Sequence, residues 1–398
     1  MSTPAKTRAL FVDDEPQILQ IIELAMEPLK DQWEMAFAPD ALYALGLLEN
    51  KSFDVVVSDM RMPNMSGADL FAEVQQRWPS TVRIILSGYA EPEQVMKGVA
   101  TAHQFMRKPF TLKEFLATLQ RIQQLQQWVM YEPLRGLVGK MKHLPSIPLV
   151  YFLISQALQS PDTHADHIAE IAATDPALTA KMLQLVNSAY FGGGYPISNV
   201  TEAVVILGVN NIRAMAMAAH LFSAFDMTNL GGLPLQEICA RGIRIGNLAM
   251  KIAKREQGST QLLEQAFTAG ALHNIGQLIF AANLPTQYAA LYRSTKSRGQ
   301  LEEEERRVFS SSHADVGAYL LAIWGLPSPL VEAVGFHHEP SRSKDTSFTP
   351  LTAVHVARGL LQEAPSRTKT APFDTKYLAR LELTDRVDVW RQCLRDSS

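Results

Sequence analysis

Cysteine is scarce in this chain, and no apolar run is long enough to cross a bilayer. Its 398 residues include two cysteines, Cys239 and Cys393, which form no metal-ligand or disulfide pattern. The apolar run near the N-terminus, within "MSTPAKTRALFVDDE", is too short for a signal peptide. We therefore expect a protein of a reducing cytoplasm with no membrane partner.

An excess of positive charge is also missing. The formal net charge is −3 and the sequence pI is about 6.4, so no broad basic field is available to attract nucleic acid. Hydrophobic residues make up 47% and charged residues 19% of the chain, a balance typical of folded domains. The length allows two or three such domains.

The first third of the chain alternates apolar runs with amphipathic segments. The apolar runs predict five strands, at Ala9–Asp14, Glu34–Pro39, Phe53–Asp59, Thr81–Gly88 and His103–Lys108. The segments between and after them predict helices at Gln17–Leu29, Ala41–Asn50, Ala68–Trp78, Glu93–Ala100 and Leu112–Gln124. Buried strands separated by helices predict a doubly wound α/β domain with a parallel five-stranded sheet.

From about Leu134 onward the pattern is helical, and no segment reads as a strand. The predicted helices are Pro148–Gln159, His164–Thr174, Ala177–Asn187, Val200–Leu207, Ile212–Phe225, Leu235–Glu256, Leu262–Leu284, Ser312–Trp324 and Pro327–Phe336. This second part is predicted to be an all-α domain.

Polar side chains stand at the ends of four predicted strands. Asp13 and Asp14 close the first, Asp59 the third, Ser87 the fourth and Lys108 the fifth. The carboxyl ends of parallel strands meet at one sheet edge, so these groups are expected to gather there. Clustered carboxylates favour a hard cation such as Mg²⁺, and a fixed lysine beside them suits phosphoryl transfer to an aspartate.

The motifs "FVDDEP", "VVVSDMRMPNMSG", "ILSG" and "FMRKPF" resemble the receiver domain of two-component response regulators, over residues 8–124. The resemblance implies a flavodoxin-like fold, a sensor histidine kinase as partner and phosphorylation of Asp59. It also implies that Asp14 and Asp59 bind Mg²⁺ directly, Asp13 through water and Arg61 through its backbone carbonyl.

The same resemblance assigns the remaining polar groups of the sheet edge. Ser87 would bond the phosphoryl group, Lys108 would pair with it, and Phe105 occupies the position of the aromatic switch residue. The peptide bond between Lys108 and Pro109 is expected to be cis.

The second part carries "LPSIP", "ATDPALTAKMLQLVNSAYFG", "GALHNIGQL" and "HADVGAYLLAIWGLPSPLVEAVGFHHEP". These motifs resemble the HDOD domain, a non-catalytic relative of the HD phosphohydrolases, over residues 134–398. Of the metal ligands that an HD hydrolase needs, the chain keeps His273. Asn274 replaces the adjacent aspartate, and alignment by eye places Arg241 and Arg358 at two further ligand positions. The resemblance thus implies no metal and no catalytic residue in this domain.

Three further histidines, His313, His337 and His338, have two interpretations. In the first, they are ligands of a metal site with fewer ligands than usual, since some cyclic-di-GMP phosphodiesterases use such histidines. In the second, they form hydrogen bonds to helix ends or line a vestigial groove. In the recognised motifs, only Asp315 and Glu339 are carboxylates near enough in sequence to join them. The run "LEEEERR" at Leu301–Arg307 predicts a solvated helix face.

Residues 125–133 are predicted to link the two domains. Leu112, Phe115, Leu119, Ile122 and Val129 fall at heptad-like spacing, which fits either a homodimer helix or a last helix packed on its own sheet.

The sequence therefore favours a response regulator whose inactive helical domain binds an unidentified signalling protein. By family association, enzymes of cyclic-di-GMP signalling are candidate partners. A metal-dependent phosphodiesterase and a nucleotide-binding sensor domain that does not hydrolyse its ligand stay open as alternatives.

Overall fold

The computed structural model describes residues 6–87, 101–126, 135–136, 138–139, 157, 164–187, 196–208, 233–295, 298–363 and 373–395. These residues form two compact units, one drawn mainly from residues before 143 and the other mainly from residues after it. The predicted helices Glu93–Ala100 and Ile212–Phe225 lie outside the described residues, as does Pro148–Gln159 apart from Ala157. The described helices include none that is long and apolar enough to cross a membrane.

The N-terminal unit contains the predicted parallel sheet. Its strands are β1 (Thr7–Val12), β2 (Trp33–Ala38), β3 (Val55–Asp59), β4 (Val82–Ser87) and β5 (Gln104–Arg107). They lie in the order β2-β1-β3-β4-β5 and all neighbours pair in parallel. Residues Ala9–Phe11 and Val55–Val56 are fully buried, which explains why the central strands are continuous apolar runs.

Four helices of this unit follow the predicted order. They are α1 (Pro16–Met26), α2 (Ala41–Asn50), α3 (Gly67–Arg77) and α4 (Leu112–Gln126). On α4, Phe115, Leu119 and Ile122 are buried, so this face packs within its own unit up to Ile122. Val129 lies outside the described residues, and dimerisation through this segment stays a prediction.

The second unit is helical wherever it is described, apart from its turns and loops. Its α-helices are α5 (Ala165–Ala173), α6 (Pro176–Val186), α7 (Val200–Leu207), α8 (Leu235–Arg255), α9 (Thr260–Leu272), α10 (Ile275–Asn283), α11 (Pro285–Ser294), α12 (Arg298–Phe309), α13 (His313–Ile323), α14 (Ser328–Phe336), α15 (Pro350–Glu363), α16 (Thr375–Arg380) and α17 (Val387–Arg395).

Helices α8, α9, α14 and α15 pack on one another and carry the residues of the predicted degenerate site. The approach of α8 to α9 is very close at Gly246 and Gly270, since a Cβ on Gly270 would meet the Gly246 Cα at 2.5 Å. Glycine is needed at this crossing because a side chain there would push the two helices apart.

The prediction of a single helix over Leu262–Leu284 is wrong. The chain forms α9 and α10, with a break at His273 and Asn274. The His273 Nδ1–H donates to the Gly270 carbonyl at 2.7 Å and competes with backbone bonding at the end of α9. The break turns His273 and Asn274 into helix-end residues.

The prediction that Leu301–Arg307 forms a solvated face holds for Glu303 and Arg307, which are exposed, and is wrong for the other face of the helix. On α12, Glu305 is fully buried, and Leu301 and Glu302 are 4% and 8% exposed. Glu305 is retained in the interior because it accepts hydrogen bonds from Tyr288 and His313.

Candidate functional sites

The carboxyl ends of β1 and β3 and the residue after β5 bring three charged side chains together. The Lys108 ammonium donates to Asp13 Oδ2 at 2.8 Å and to Asp59 Oδ1 at 2.5 Å. Asp13 is almost fully buried, and its other oxygen accepts the Glu15 N–H at 3.0 Å. Asp14 is exposed. Asp13, Asp59 and Lys108 thus come together, as the strand ends predict for these three residues.

Asp59 is held by the loop that follows it. The Arg61 N–H donates to Asp59 Oδ2 at 2.6 Å, and the Met60 N–H donates to the Leu86 carbonyl at 3.0 Å. Burial raises the pKa of Asp59, although the Lys108 ammonium acts in the opposite direction. Burial would lower the pKa of Lys108, but its two carboxylate partners raise it, so the lysine is charged at neutral pH.

The donor set at this edge fits a hard divalent cation. Asp13, Asp14 and Asp59 supply carboxylate oxygens only, the ligand type that Mg²⁺ prefers. Lys108 adds a fixed positive charge that would face an incoming phosphoryl group. The Lys108–Pro109 bond is cis, the predicted conformation.

Two predicted switch residues are described by their backbone alone. Ser87 ends β4 opposite Arg107, and Phe105 pairs with Ile85 in the neighbouring strand. The positions of their side chains lie outside the described part of the chain. Their roles stay predictions.

A pocket opens in the helical unit. Its lining residues are Arg241, His273, Asn274, Gln277, Tyr292, Leu301, His313, His337, His338, Arg358 and Gln362. All four residues of the predicted degenerate site and all three retained histidines therefore share one pocket.

His273 and His337 end α9 and α14 in the same way. Each Nδ1 donates to the carbonyl three residues earlier, Gly270 or Val334, at 2.7 Å. A carbonyl can only accept, so each Nδ1 carries the hydrogen and each neutral ring leaves Nε2 as an acceptor. Burial lowers the pKa of His273 to about 3 and holds that of His337 well below its usual range.

His313 rests on the buried Glu305. The carboxylate accepts from His313 Nδ1 at 2.6 Å, from the His313 N–H at 2.7 Å and from the Tyr288 hydroxyl at 2.7 Å. Burial alone would lower the pKa of His313, but Glu305 and Glu302 raise it.

His313 also meets His338 through a short nitrogen contact. The two Nε2 atoms are 3.2 Å apart, and His338 Nδ1 lies 3.3 Å from Glu302 Oε2. Burial holds the pKa of His338 well below its usual range. A protonated His313 can therefore donate its Nε2–H to the bare Nε2 of His338.

The imidazoles of His313, His337 and His338 offer nitrogens within 4.8 Å of one another, a grouping that could hold a metal ion. Among the described residues that line the pocket there is no carboxylate, whereas two arginines, Arg241 and Arg358, belong to the lining. Asp315 pairs with Arg306 at 2.6 Å and accepts from Ser312, so it does not join the histidines. The positive charge of the lining favours an anion over a divalent metal ion.

Sequence reasoning missed Glu302 and Glu305, the two carboxylates that hold His338 and His313. A signal was present, because Leu301, Glu305 and Phe309 recur at four-residue intervals and all three are buried on α12. The run of four consecutive glutamates obscured this periodicity.

Family models match two parts of the chain. A model of the response regulator receiver domain matches residues 9–120, and a model of the HDOD domain matches residues 144–340. Both matches lie within the ranges that the motifs predict.

Individual relatives match at modest identity. The chain is 26% identical to an uncharacterized protein of Treponema pallidum over 58% of its own length and 45% of that protein. It is 33% identical to the response regulator protein PilR of Pseudomonas aeruginosa over 30% of its own length and 27% of PilR. The chain thus spans less than half of either relative.

One solved structure is similar to part of this chain. The crystal structure of the MmoQ response regulator from Methylococcus capsulatus is 24% identical, covers 63% of this chain and 98% of its own, and gives a TM-score of 0.49.

Proposed function

Because this chain is a response regulator that joins a receiver domain to an HDOD domain, we propose that phosphorylation of Asp59 controls how the HDOD domain binds another protein. The observation that carries this proposal is the contact of one ammonium, Lys108 Nζ, with both Asp13 and Asp59. A sensor histidine kinase would supply the phosphoryl group, as for receiver domains generally.

Each group at the sheet edge has a role in the proposed reaction. Asp59 Oδ1 or Oδ2 attacks the phosphorus of a phosphohistidine on the kinase, the P–N bond breaks, and the imidazole leaves with a proton from solvent. Lys108 then moves from the Asp59 carboxylate to the oxygens of the transferred phosphoryl group. Asp13, Asp14 and Asp59, with the Arg61 carbonyl, would hold the Mg²⁺ that offsets the remaining negative charge. Ser87 would bond the phosphoryl group, and Phe105 would change position with it.

Phosphorylation replaces the single negative charge of the Asp59 carboxylate by a phosphoryl group with about 1.5 to 2 negative charges and three acceptor oxygens. We propose that the resulting shift of the β4–β5 face changes how the receiver associates with the HDOD domain or with a second subunit. Proteins that make, degrade or bind cyclic di-GMP are candidate downstream partners. Pull-downs with the wild-type protein and with Asp59→Ala, each in the presence of beryllofluoride and Mg²⁺, test whether such proteins bind under phosphorylation control. Recovery of the same cyclic-di-GMP proteins with wild type and with Asp59→Ala would argue against that control.

The HDOD domain is proposed to be non-catalytic and to hold no catalytic metal. Asn274 has no charge where a hydrolase needs a bridging carboxylate, and Arg241 and Arg358 line the same pocket. A divalent ion would be placed among fixed cations with no lining carboxylate to offset it.

We expect the purified full-length protein to show no turnover of cyclic di-GMP or of model phosphodiesters. The Asn274→Asp variant is also expected to be inactive, since one restored carboxylate leaves both arginines in place. Turnover assays together with elemental analysis measure this. Stoichiometric Mn, Fe, Ni or Zn in the helical pocket, with hydrolysis that disappears in His273→Ala, would restore the phosphodiesterase interpretation.

A further inference from the structure

Arg358 is a buried cation with no direct partner among the residues that the structure describes. It is 8% exposed, its Nε has no hydrogen-bond acceptor, and its guanidinium makes no hydrogen bond or ion pair with the residues that the structure describes. Burial lowers its pKa to about 10, which leaves it charged at neutral pH. An unpaired buried charge is strongly unfavourable, so the position calls for an anion.

The carboxylate that acts most on Arg358 is engaged elsewhere. Glu302 raises the pKa of Arg358 by its charge, yet it accepts from Arg306 at 2.9 Å and lies 3.3 Å from His338 Nδ1. Glu305 is occupied by His313 and Tyr288. Arg358 therefore lines the pocket with its charge uncompensated by a direct contact.

The same pocket also presents an acceptor without a donor. His337 Nδ1 donates to the Val334 carbonyl at 2.7 Å, and its buried Nε2 has no hydrogen-bond partner among the residues that the structure describes. The lone pair of Nε2 can accept a hydrogen from a ligand in the pocket or bind a metal ion. A matching ligand needs anionic oxygens for Arg358 and a hydroxyl for His337.

Hydrogen phosphate has both groups in one small ion. At neutral pH it retains a P–OH, whereas sulfate and carboxylates have none, and a phosphate monoester loses its last one above about pH 6. A divalent metal could bind the Nε2 lone pair of His337, but it would add charge of the same sign as Arg358 and leave the guanidinium without an anion.

We propose that the pocket of the HDOD domain is a binding site for inorganic phosphate, with Arg358 donating to its anionic oxygens and His337 Nε2 accepting its hydroxyl hydrogen. This site goes beyond the proposed signalling function, which does not depend on it. It would make the output domain responsive to a small anion as well as to phosphorylation.

Calorimetric titration of the full-length protein with sodium phosphate, in a chelator and without Mg²⁺, tests the site. We expect one phosphate per chain, and sulfate at least about 10-fold weaker because His337 then lacks a donor. Adenosine monophosphate tests whether the pocket binds a phosphate monoester instead of free phosphate, and it is expected to bind less tightly than phosphate. Lys108→Ala, which removes the cation of the receiver site, should bind phosphate as wild type does.

Arg358→Met is expected to weaken phosphate binding by about 30-fold or more. Its ligand-free melting temperature should equal or exceed that of wild type, because the variant removes an unpaired buried charge. The wild-type titrations decide the proposal even where this variant does not fold.

Four results would overturn the phosphate site. They are no phosphate binding by wild type, equal affinity for phosphate and sulfate, tighter binding of adenosine monophosphate than of phosphate, and full retention of binding in Arg358→Met. Binding of one Zn²⁺ per chain that excludes phosphate would assign the pocket to a metal instead.

Discussion

Asp59→Ala is expected to reduce labelling of the full-length chain by acetyl phosphate and Mg²⁺ to background. Two carboxylates contact Lys108, but the Asp59 side chain is 14% exposed and that of Asp13 only 1%. Asp59 is therefore the carboxylate that a phosphoryl donor can reach. Intact-mass spectrometry should find one added phosphoryl group in wild type and none in the variant.

Asp54→Asn is the matched control for this loss. Asp54 precedes the same strand, β3, at its opposite end, where its carboxylate accepts the Arg8 N–H at 2.8 Å. Asparagine can still accept that hydrogen bond, so labelling should equal that of wild type. Equal labelling of wild type and Asp59→Ala would contradict the assignment of Asp59 as the phospho-acceptor.

Gly67→Ala is expected to destabilise the receiver domain by about 3 kcal/mol. A Cβ at this position would lie 2.1 Å from the Asp59 carbonyl oxygen and 3.1 Å from Ser58 Oγ. Since the nearest atom belongs to the backbone, the loop that carries Asp59 must move. Hydrogen exchange of peptides covering β1 and β3, measured with increasing denaturant, reports the loss.

Gly46→Ala is the control within the same domain. Gly46 lies inside α2, and a Cβ there would meet nothing within 4 Å. Alanine in a helix interior is favoured over glycine, so stability should rise by about 0.5–1 kcal/mol. Equal effects of the two substitutions would mean that the approach of Gly67 to Asp59 is not what limits stability.

The receiver fold could be predicted from sequence because its strands are short apolar runs that are buried on both faces. The run at Phe53–Asp59 predicts β3, which begins two residues later at Val55. Its acids could be placed at one edge because parallel strands share a direction. The contacts of Lys108 with Asp13 and Asp59 join residues far apart in sequence, and they could be expected because all three residues stand at strand ends of one sheet edge.

The site in the helical unit was less predictable because the positions of its residues depend on how the helices pack. Apolar residues continue on both sides of His273, from Leu272 to Ile275, so periodicity alone gave one helix instead of two. The break depends on a side-chain hydrogen bond to the Gly270 carbonyl, which no pattern of hydrophobic residues encodes.

Burial of charge was the other source of error. Glu302 and Glu305 belong to a run that resembles a solvated face, yet Tyr288, His313 and Arg306 satisfy them inside the fold. Tyr288 and His313 come from α11 and α13, and only the tertiary structure brings them to Glu305, whereas Arg306 lies four residues after Glu302 on the same helix. The unpaired guanidinium of Arg358 is likewise visible only once its surroundings are known.

Hydrogen exchange of the full-length chain, with and without beryllofluoride and Mg²⁺, tests the coupling of the receiver to the HDOD domain most directly. A ligand shifts an equilibrium only through different contacts in the two states, so a phosphoryl mimic must alter protection beyond its own site. We predict altered exchange in peptides from residues 164–395 of wild type and no change in Asp59→Ala. Changes confined to residues up to 126 would contradict control of the HDOD domain within this chain.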